Sequence, residues 1–565
     1  MRRVRELYNR AQQPVNRSLL ENLLSEMQVS YRVAESDLAR IPAQGPAIVV
    51  SNHPFGILDG TILGAILSRV RPDVKIVTNS LLSGIPELHE CCFFVDPFAT
   101  RNSAAANLRA LRQSLFWLQK GGMLAIFPAG EVSHLQWGRI QVEDPEWAET
   151  AARLARLSGS PVVPAYFDGR NSATFLGLGL VHPQLRTAWL LHEFLGQQGK
   201  EVEVRIGNSI SPTLLRTLGD DADCTRYMRW RTYFLAQRTR RRFKRAVTLP
   251  FLPAKTSEPI GAEVPRELLV ADVNRFSPEQ CIVEAGNFSV YAANAAAMPN
   301  LMAELGRLRE ISFRAAGEGC GKAHDLDQFD SYYRHILLWN KARQELVGAY
   351  RLGHTSEILP AHGVAGLYTN TLFHYDPQLF AQMGPAVELG RSFIRPEYQK
   401  EYQPLLLLWK GIARYVATQP ENAILFGAVS ISRQYSRASR DLIFRYFQGR
   451  DGNSELANWI KPRRPFRRPW MRPTTELEPS HDFELLSDPI ADIEADGKGL
   501  PVLLRHYARL GGQLLSFNVD KNFSDVLDGF VMVDLRKSDP VLLARYMGKE
   551  GVARIRAFHS AESLV

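Results

Sequence analysis

At 565 residues the chain is too long for one hydrophobic core, so about two to four domains are expected. Its 45% apolar and 22% charged residues are those of a folded protein and exclude long disordered stretches. Lys+Arg 68 against Asp+Glu 59 leaves +9, which favours an anionic partner: nucleic acid, an anionic membrane or an acidic carrier protein. The cysteines, Cys91, Cys92, Cys224, Cys281 and Cys320, are sparse, odd in number and without CxxC spacing. That argues against a disulfide framework or a metal site and fits a reducing cytoplasm. The start, MRRVRELYNRAQQPVNRS, has the charges of a signal peptide but no apolar stretch behind them. No window approaches the roughly 18 apolar residues of a spanning helix, so membrane contact is expected to be peripheral.

Between residues 1 and 247, PAIVVSN, VKIVTN, CCFFVD, GMLAIFPAG, SPVVPAYF and EVEVRIG read as strands. TILGAILSRV, SAAANLRALRQSLFWLQKG and EWAETAARLARLSG read as helices between them. This alternation predicts an α/β layer structure with a mainly parallel sheet. The helix expected over 224–247 ends in a dense basic run. TLPFLPAKTSEPIGAEVP (248–265) opens a linker that we extend to residue 280, because its prolines suit a connector. The second half, 281–565, is again mixed: strands HILLWN, ELVGAYRLG, AVELGRSFIRP and AILFGAVSI, with the helix YQPLLLLWKGIARYVATQ. The segment 461–480 interleaves prolines with arginines and cannot be a helix interior. A helix LPVLLRHYARLGG and the strands QLLSF and DGFVMVDL complete this half.

In AIVVSNHPFGILDG (47–60), His53 and Asp59 stand at the mouth of a strand. An imidazole whose tautomer is fixed by a carboxylate can take a proton from a hydroxyl. Pro54 and Gly56 are turn residues that would fold Asp59 back onto the ring. Alternatively, Asp59 only caps the helix that follows and His53 is an ordinary histidine. FFVDPFATRN (93–102), IFPAGEVS (126–133) and SPVVPAYFDGRNS (160–172) each join a strand to a turn, where functional residues of α/β sheets gather. Together with NHPFGILDG, these stretches resemble the four blocks of the glycerolipid and lysophospholipid acyltransferases over roughly residues 25–245. The resemblance implies that His53 is the general base and Asp59 its orienting partner. It also implies substrate contacts for Asn52, Arg101, Phe127, Pro128, Gly130 and Glu131. Two departures stand out. Five residues rather than four separate His53 from Asp59, and the third block reads Phe127-Pro128-Ala129-Gly130-Glu131, without the family's phosphate-holding arginine. An acceptor without a phosphate and with a cation would fit Glu131; alternatively Arg101 supplies the missing charge.

In the second half, HDLDQFDSYYRHILLW, ELVGAYRL and PAVELGRSFIRPEYQ place Asp327, Asp330, Arg351, Glu388 and Arg391 in or beside strands, where a lone charge is costly. The odd separation of Glu388 and Arg391 predicts opposite sides of their strand. The five charges alternatively form one structural ion-pair network. The pattern resembles the GNAT-like N-acyltransferases of the ornithine-lipid and acyl-homoserine-lactone synthase type. That implies transfer of an acyl group from acyl carrier protein to an α-amine, with Glu388 as base, directly or through water. Asp327, Asp330, Arg351 and Arg391 would then bind substrate.

The expected fold class is therefore α/β, with two mixed αβ acyltransferase domains. The order of the halves resembles the bifunctional ornithine-lipid synthases of bacteria. Such an enzyme would N-acylate an amino acid, ornithine by resemblance, with a 3-hydroxyacyl group. Its first half would then O-acylate the resulting lyso-aminolipid. The resemblance implies acyl-acyl carrier protein as donor, no bound cofactor or metal, and no nucleic acid. It also implies peripheral attachment to the cytoplasmic side of the inner membrane. The alternatives are a lysophospholipid acyltransferase with a regulatory GNAT-like domain, and a non-catalytic scaffold for lipid or carrier protein.

Overall fold

A computed structural model describes residues 2–12, 18–96, 103–135, 142–181, 183–238, 257–467, 482–521, 523 and 525–562. The chain forms two compact units. Met1–Arg242 makes the first together with Ser487–Gly499; Phe243–Met471, Pro479–Leu486 and Leu500–Val565 make the second. The first unit therefore recruits a short segment from far down the chain, which no compositional signal announces. The basic run expected at the end of helix 224–247, and most of 461–480, lie outside the described residues.

In the first unit the strands are β1 (Ser30–Arg32), β2 (Ala47–Ser51), β3 (Val74–Asn79), β4 (Cys92–Val95), β5 (Met123–Ile126), β6 (His134–Leu135), β7 (Val142–Glu143), β8 (Val162–Asp168) and β9 (Glu201–Ile206). All but β6 and β7, which pair with each other, form one sheet of order β1-β9-β8-β2-β5-β3-β4. Every neighbouring pair in it is parallel except β8 and β9. β2 is buried along its whole length, as the continuous apolar run Ala47–Val50 requires of a strand in mid-sheet. The helix Ile57–Ser68 that follows is also buried nearly all round, and Gly64 lets it approach Leu20 and Ile76. Helices Ala173–Val181 and Pro183–Gly196 fill a stretch in which strand–helix alternation gave no signal.

The second unit continues with β10 (Cys281–Ala285), β11 (Phe288–Asn294), β12 (Arg334–Asn340), β13 (Glu345–His354), β14 (Phe373–Tyr375), β15 (Ala386–Ile394), β16 (Ile424–Ile431), β17 (Ile460–Pro462), β18 (Gln513–Asp520) and β19 (Val526–Asp534). Eight of them form the sheet β10-β11-β12-β13-β15-β16-β19-β18, and β14 pairs with β17. Only the β15–β16 pair in this sheet is parallel, and its register runs from Ala386↔Ile424 to Leu389↔Gly427. Beyond those residues β15 stays with β13 and β16 with β19, so the two strands part. Gly427 sits at the parting point, where a Cβ would lie 2.1 Å from the Leu389 carbonyl oxygen. The region assigned above to a linker holds the helix Arg266–Val273, whose Leu269 is buried in the core. Its Asp272 accepts the N–H groups of Asn300 (2.7 Å) and Leu301 (3.0 Å), capping the helix Pro299–Ala315.

Candidate active sites

β2 ends at Ser51, and the chain turns through Asn52–Gly56 into the helix Ile57–Ser68. Gly56 has φ +77, a left-handed conformation that L side chains rarely adopt, and a Cβ there would crowd Val132 at 3.2 Å. This turn absorbs the extra residue and brings Asp59, in the first helical turn, back to the imidazole. His53 Nδ1 lies 3.0 Å from Asp59 Oδ2. The same oxygen accepts the backbone N–H groups of Phe55 (2.8 Å) and Gly56 (3.0 Å). Asp59 is thus both helix cap and partner of His53, and the two readings of the sequence are not exclusive.

Burial raises the Asp59 pKa, while the His53 contact and the two amides oppose that rise. Once ionised, Asp59 can only accept, so Nδ1 carries the hydrogen and Nε2 keeps its lone pair. Nε2 has no partner among the described residues, and the side chain is 18% exposed. Phe127 stacks on the imidazole, with centroids 4.3 Å apart and planes 30° apart. An imidazole of fixed tautomer, a carboxylate that orients it and an open approach to Nε2 therefore coincide.

The other residues expected to bind substrate divide by environment. Asn52 is buried and its amide is held at both ends by Phe167: it donates to the carbonyl at 3.0 Å and accepts the N–H at 2.7 Å. It ties β2 to β8. Pro128 is buried, and its carbonyl accepts the Ala148 N–H at 2.9 Å. Gly130 and Glu131 are exposed, Gly130 at φ +66 in the turn closed by its N–H to Phe127. Arg101 lies outside the described residues.

Asp144 is a residue that motif reading missed. It is fully buried. One carboxylate oxygen accepts the His53 backbone N–H at 3.1 Å and the Ser133 hydroxyl at 2.5 Å. The other accepts the Trp147 indole N–H at 2.9 Å. Ser133 N–H in turn donates to the His53 carbonyl at 2.9 Å. Asp144 therefore locks the histidine turn to the end of the FPAGEVS block. The available signal was weak: an acid three residues before a tryptophan.

In the second unit Asp327, Asp330, Arg351 and Arg391 do come together, joined by Arg309 and Asp325. Arg309 grips Asp330 with both terminal nitrogens (2.9 and 3.0 Å) and Asp325 with Nε (3.1 Å). Arg351 reaches Asp327 (2.6 Å) and Asp330 (3.1 Å); Arg391 reaches Asp327 (3.3 Å). Three arginines face three aspartates. Burial pushes Asp330 up, but Arg309 and Arg351 outweigh it and hold the carboxyl well below the usual range. Four of the five expected charges are thus in one ion-pair network, and the rings of Phe329, Tyr333 and Tyr368 surround Arg351.

Glu388 stands apart from that network. It accepts the Tyr333 hydroxyl and the N–H groups of Tyr368 (3.1 Å) and Thr369 (2.6 Å), anchoring the turn Tyr368–Thr371. Both of its oxygens are engaged, one by two donors and the other by one. The expected opposite orientation of Glu388 and Arg391 is also corrected. Ala349 pairs with Phe393 but Arg351 with Gly390, so β15 carries an extra residue there, and Arg391 adopts φ +50. That bulge swings Arg391 to the side of Glu388, and both touch Tyr368.

Two further carboxyls in this unit lie outside any motif. Asp528 on β19 is pushed up to about 8, chiefly by burial, and accepts the Ser430 hydroxyl at 2.7 Å. Glu318 is pushed up to about 7 by burial. Because the folded state holds the Asp528 proton longer than the unfolded state, the contribution of this group to stability is complete below pH about 4 and is lost as the pH rises to about 8. The slope from this group is at most about 1.4 kcal/mol per pH unit. Asp528→Asn is expected to flatten that decline in urea titrations of the second unit between pH 5 and 8; an unaltered slope would contradict the assignment.

Among the described residues no helix is long and apolar enough to cross a membrane, and no His, Cys, Asp and Glu cluster could hold a metal ion. All five cysteines are free thiols.

Comparison with known proteins matches residues 13–240 to a family model described as acyltransferase, and residues 308–410 to one described as acetyltransferase (GNAT) domain. A glycine N(alpha)-acyltransferase of Phocaeicola vulgatus is 28% identical over 294 residues, covering 49% of this chain and 88% of that protein. Its namesake in Bacteroides thetaiotaomicron is 29% identical, covering 49% and 86%. A lyso-glycine lipid O-acyltransferase of Phocaeicola vulgatus is 30% identical over 186 residues, covering 32% of this chain and 64% of that protein. The protein is an acyltransferase that combines an acyltransferase domain and a GNAT domain in one chain.

Proposed function

We propose that the first unit transfers an acyl group from a thioester to the hydroxyl of a lysolipid, with His53 as base. The geometry of His53 and Asp59, 3.0 Å apart with Nε2 open, carries this reading. The acceptor hydroxyl gives its proton to Nε2 as its oxygen attacks the thioester carbonyl, and the imidazolium is stabilised by Asp59. Collapse of the tetrahedral intermediate breaks the C–S bond, and the thiolate leaves with the proton held on Nε2. No acyl-enzyme is required.

The second unit, in the same proposal, acylates an amine, so that the chain builds a two-chain aminolipid. Relatives named for both steps support this. Their names favour glycine over ornithine as the amino acid in this proposal. The parted ends of β15 and β16 leave strand-edge amides and carbonyls that suit the amide-bearing arm of an acyl carrier protein. A donor of that kind is acidic, in keeping with a charge of +9. The membrane lipid product favours a peripheral site on the cytoplasmic face of the inner membrane.

A second reading keeps lysophospholipid acylation in the first unit and gives the GNAT domain a regulatory part. The engagement of Glu388 by three donors favours it, and so does the breadth of the two family models. Purified full-length protein should be given 3-hydroxyacyl-acyl carrier protein with glycine, ornithine or lysophosphatidic acid, and the products weighed by mass spectrometry. Glycine is expected to gain first one acyl chain and then a second. Acylation of lysophosphatidic acid alone would sink the two-step reading in favour of the second; preference for ornithine would correct the amino acid.

A further inference from the structure

The helix Ser487–Ile493 belongs to the first unit, although its neighbours in sequence belong to the second. Ile490 and Ile493 are buried, and Asp492 is 1% exposed. The Asp492 carboxylate accepts from Arg231 (2.7 Å), the Asn208 N–H (2.6 Å) and Arg40 (3.4 Å). Its carbonyl accepts from Arg238 at 2.6 Å. A Cβ on Gly207 would stand 2.8 Å from the carboxylate, so the position is shaped to admit it. The Arg231 side chain has no exposure, and its charge is met by Asp492.

Arg231 lies on the helix Asp221–Phe234, and the same helix bears on the dyad. Arg229 donates to the carbonyls of Asp144 (2.9 Å) and Pro145 (3.0 Å). Tyr233 accepts the Asp144 N–H at 2.9 Å. Asp144 then holds the backbone of His53 and the hydroxyl of Ser133. Asp492 is thus connected to the turn that carries the base through Arg231, the helix Asp221–Phe234 itself, and the bonds of Arg229 and Tyr233 to Asp144.

We propose that residues 487–499 are a positioning strap for the first active site. Asp492 sets the helix Asp221–Phe234, and that helix, through Arg229, Tyr233 and Asp144, sets His53. Asp492 is a positioning residue, remote from the reacting atoms. The inference rests on reading His53 as the base. Loss of the Asp492 charge leaves Arg231 buried without a counter-charge, which the helix relieves by shifting. A displacement of about 1 Å at a catalytic group costs about 10²-fold in rate.

The test uses the full-length chain and whichever lyso-acceptor the wild type acylates. Asp492→Asn is expected to lower kcat about 10- to 100-fold while KM for the acyl donor stays within about twofold. Rates are normalised to the folded fraction from thermal melts. Asp492→Glu covers the case in which the amide variant does not fold, since it keeps the charge and moves it by one methylene. Folded Asp492→Glu is expected to lose kcat several-fold and to displace the acidic limb of the pH–rate profile. Wild-type kcat and profile in folded Asp492→Glu, or losses that only follow the folded fraction, would overturn the strap. Full activity in His53→Ala would instead overturn the base assignment on which it rests.

Discussion

His53→Ala is expected to lower kcat for acyl transfer to a hydroxyl about 10²- to 10⁴-fold, with the fold intact. The imidazole is bonded to Asp59 and stacked on Phe127 at the partly exposed mouth of the strand, so its removal is expected to leave the sheet in place. Asp59→Asn is expected to fall in the same range for a different reason. An amide can present its N–H₂ to Nδ1 and so move the imidazole hydrogen to Nε2, where the base lone pair is needed. The buried Asp59 carboxyl has a raised pKa, so protonation sets in at a higher pH than for an ordinary aspartate as the solution is acidified. The acid limb of the wild-type rate should therefore contain an Asp59 component that is missing in Asp59→Asn. Initial rates between pH 4.5 and 8 on both proteins measure it. A His53→Ala enzyme within tenfold of wild type would refute the dyad.

The second large effect concerns stability. Asp330 takes two bonds from Arg309 and one from Arg351, and both guanidiniums are about 1% exposed. Asp330→Ala leaves three arginines, Arg309, Arg351 and Arg391, to share the two remaining carboxylates, Asp325 and Asp327. Removing one partner of a buried pair costs about 3–5 kcal/mol, far more than an exposed pair, because the orphaned charge stays in a poor solvent. The second unit of Asp330→Ala is expected to unfold at markedly lower urea, while the transition of the first keeps its midpoint. The sign with pH is also set. Asp330 is more acidic folded than unfolded, so its contribution is complete above pH about 4 and is lost as the pH falls below that. Wild type should lose stability towards acid, and Asp330→Ala should lose less of it. Equal urea midpoints at pH 7 would show that the network is dispensable.

Of the two sites, the first was the more legible in sequence. A β-branched run, a His-Pro-Phe-Gly turn and an acid six residues after the histidine are local features. The chemistry depends on one turn that proline and glycine determine. In the second unit the charges could be listed, but their pairing could not. Strand alternation placed Glu388 and Arg391 on opposite sides, and one bulge residue at Arg391 reversed that. Arg309 and Asp325 carried no motif, yet they complete the neutral network. The helix Arg266–Val273 was read as linker because the prolines before it dominate the local composition.

The sequence by itself determined the strand–helix alternation of the first half, the two-part organisation and the candidate dyad. Each rests on residues near one another in the chain, where apolar periodicity and turn chemistry act directly. Tertiary structure alone decided what those residues touch. It made Asp59 cap and partner together, turned Asn52 into a tie between strands, and engaged Glu388 with three donors. It also brought Asp144 and Asp492 to the support of His53. Such placements depend on contacts between segments tens to hundreds of residues apart, and there burial sets whether a charge is paired.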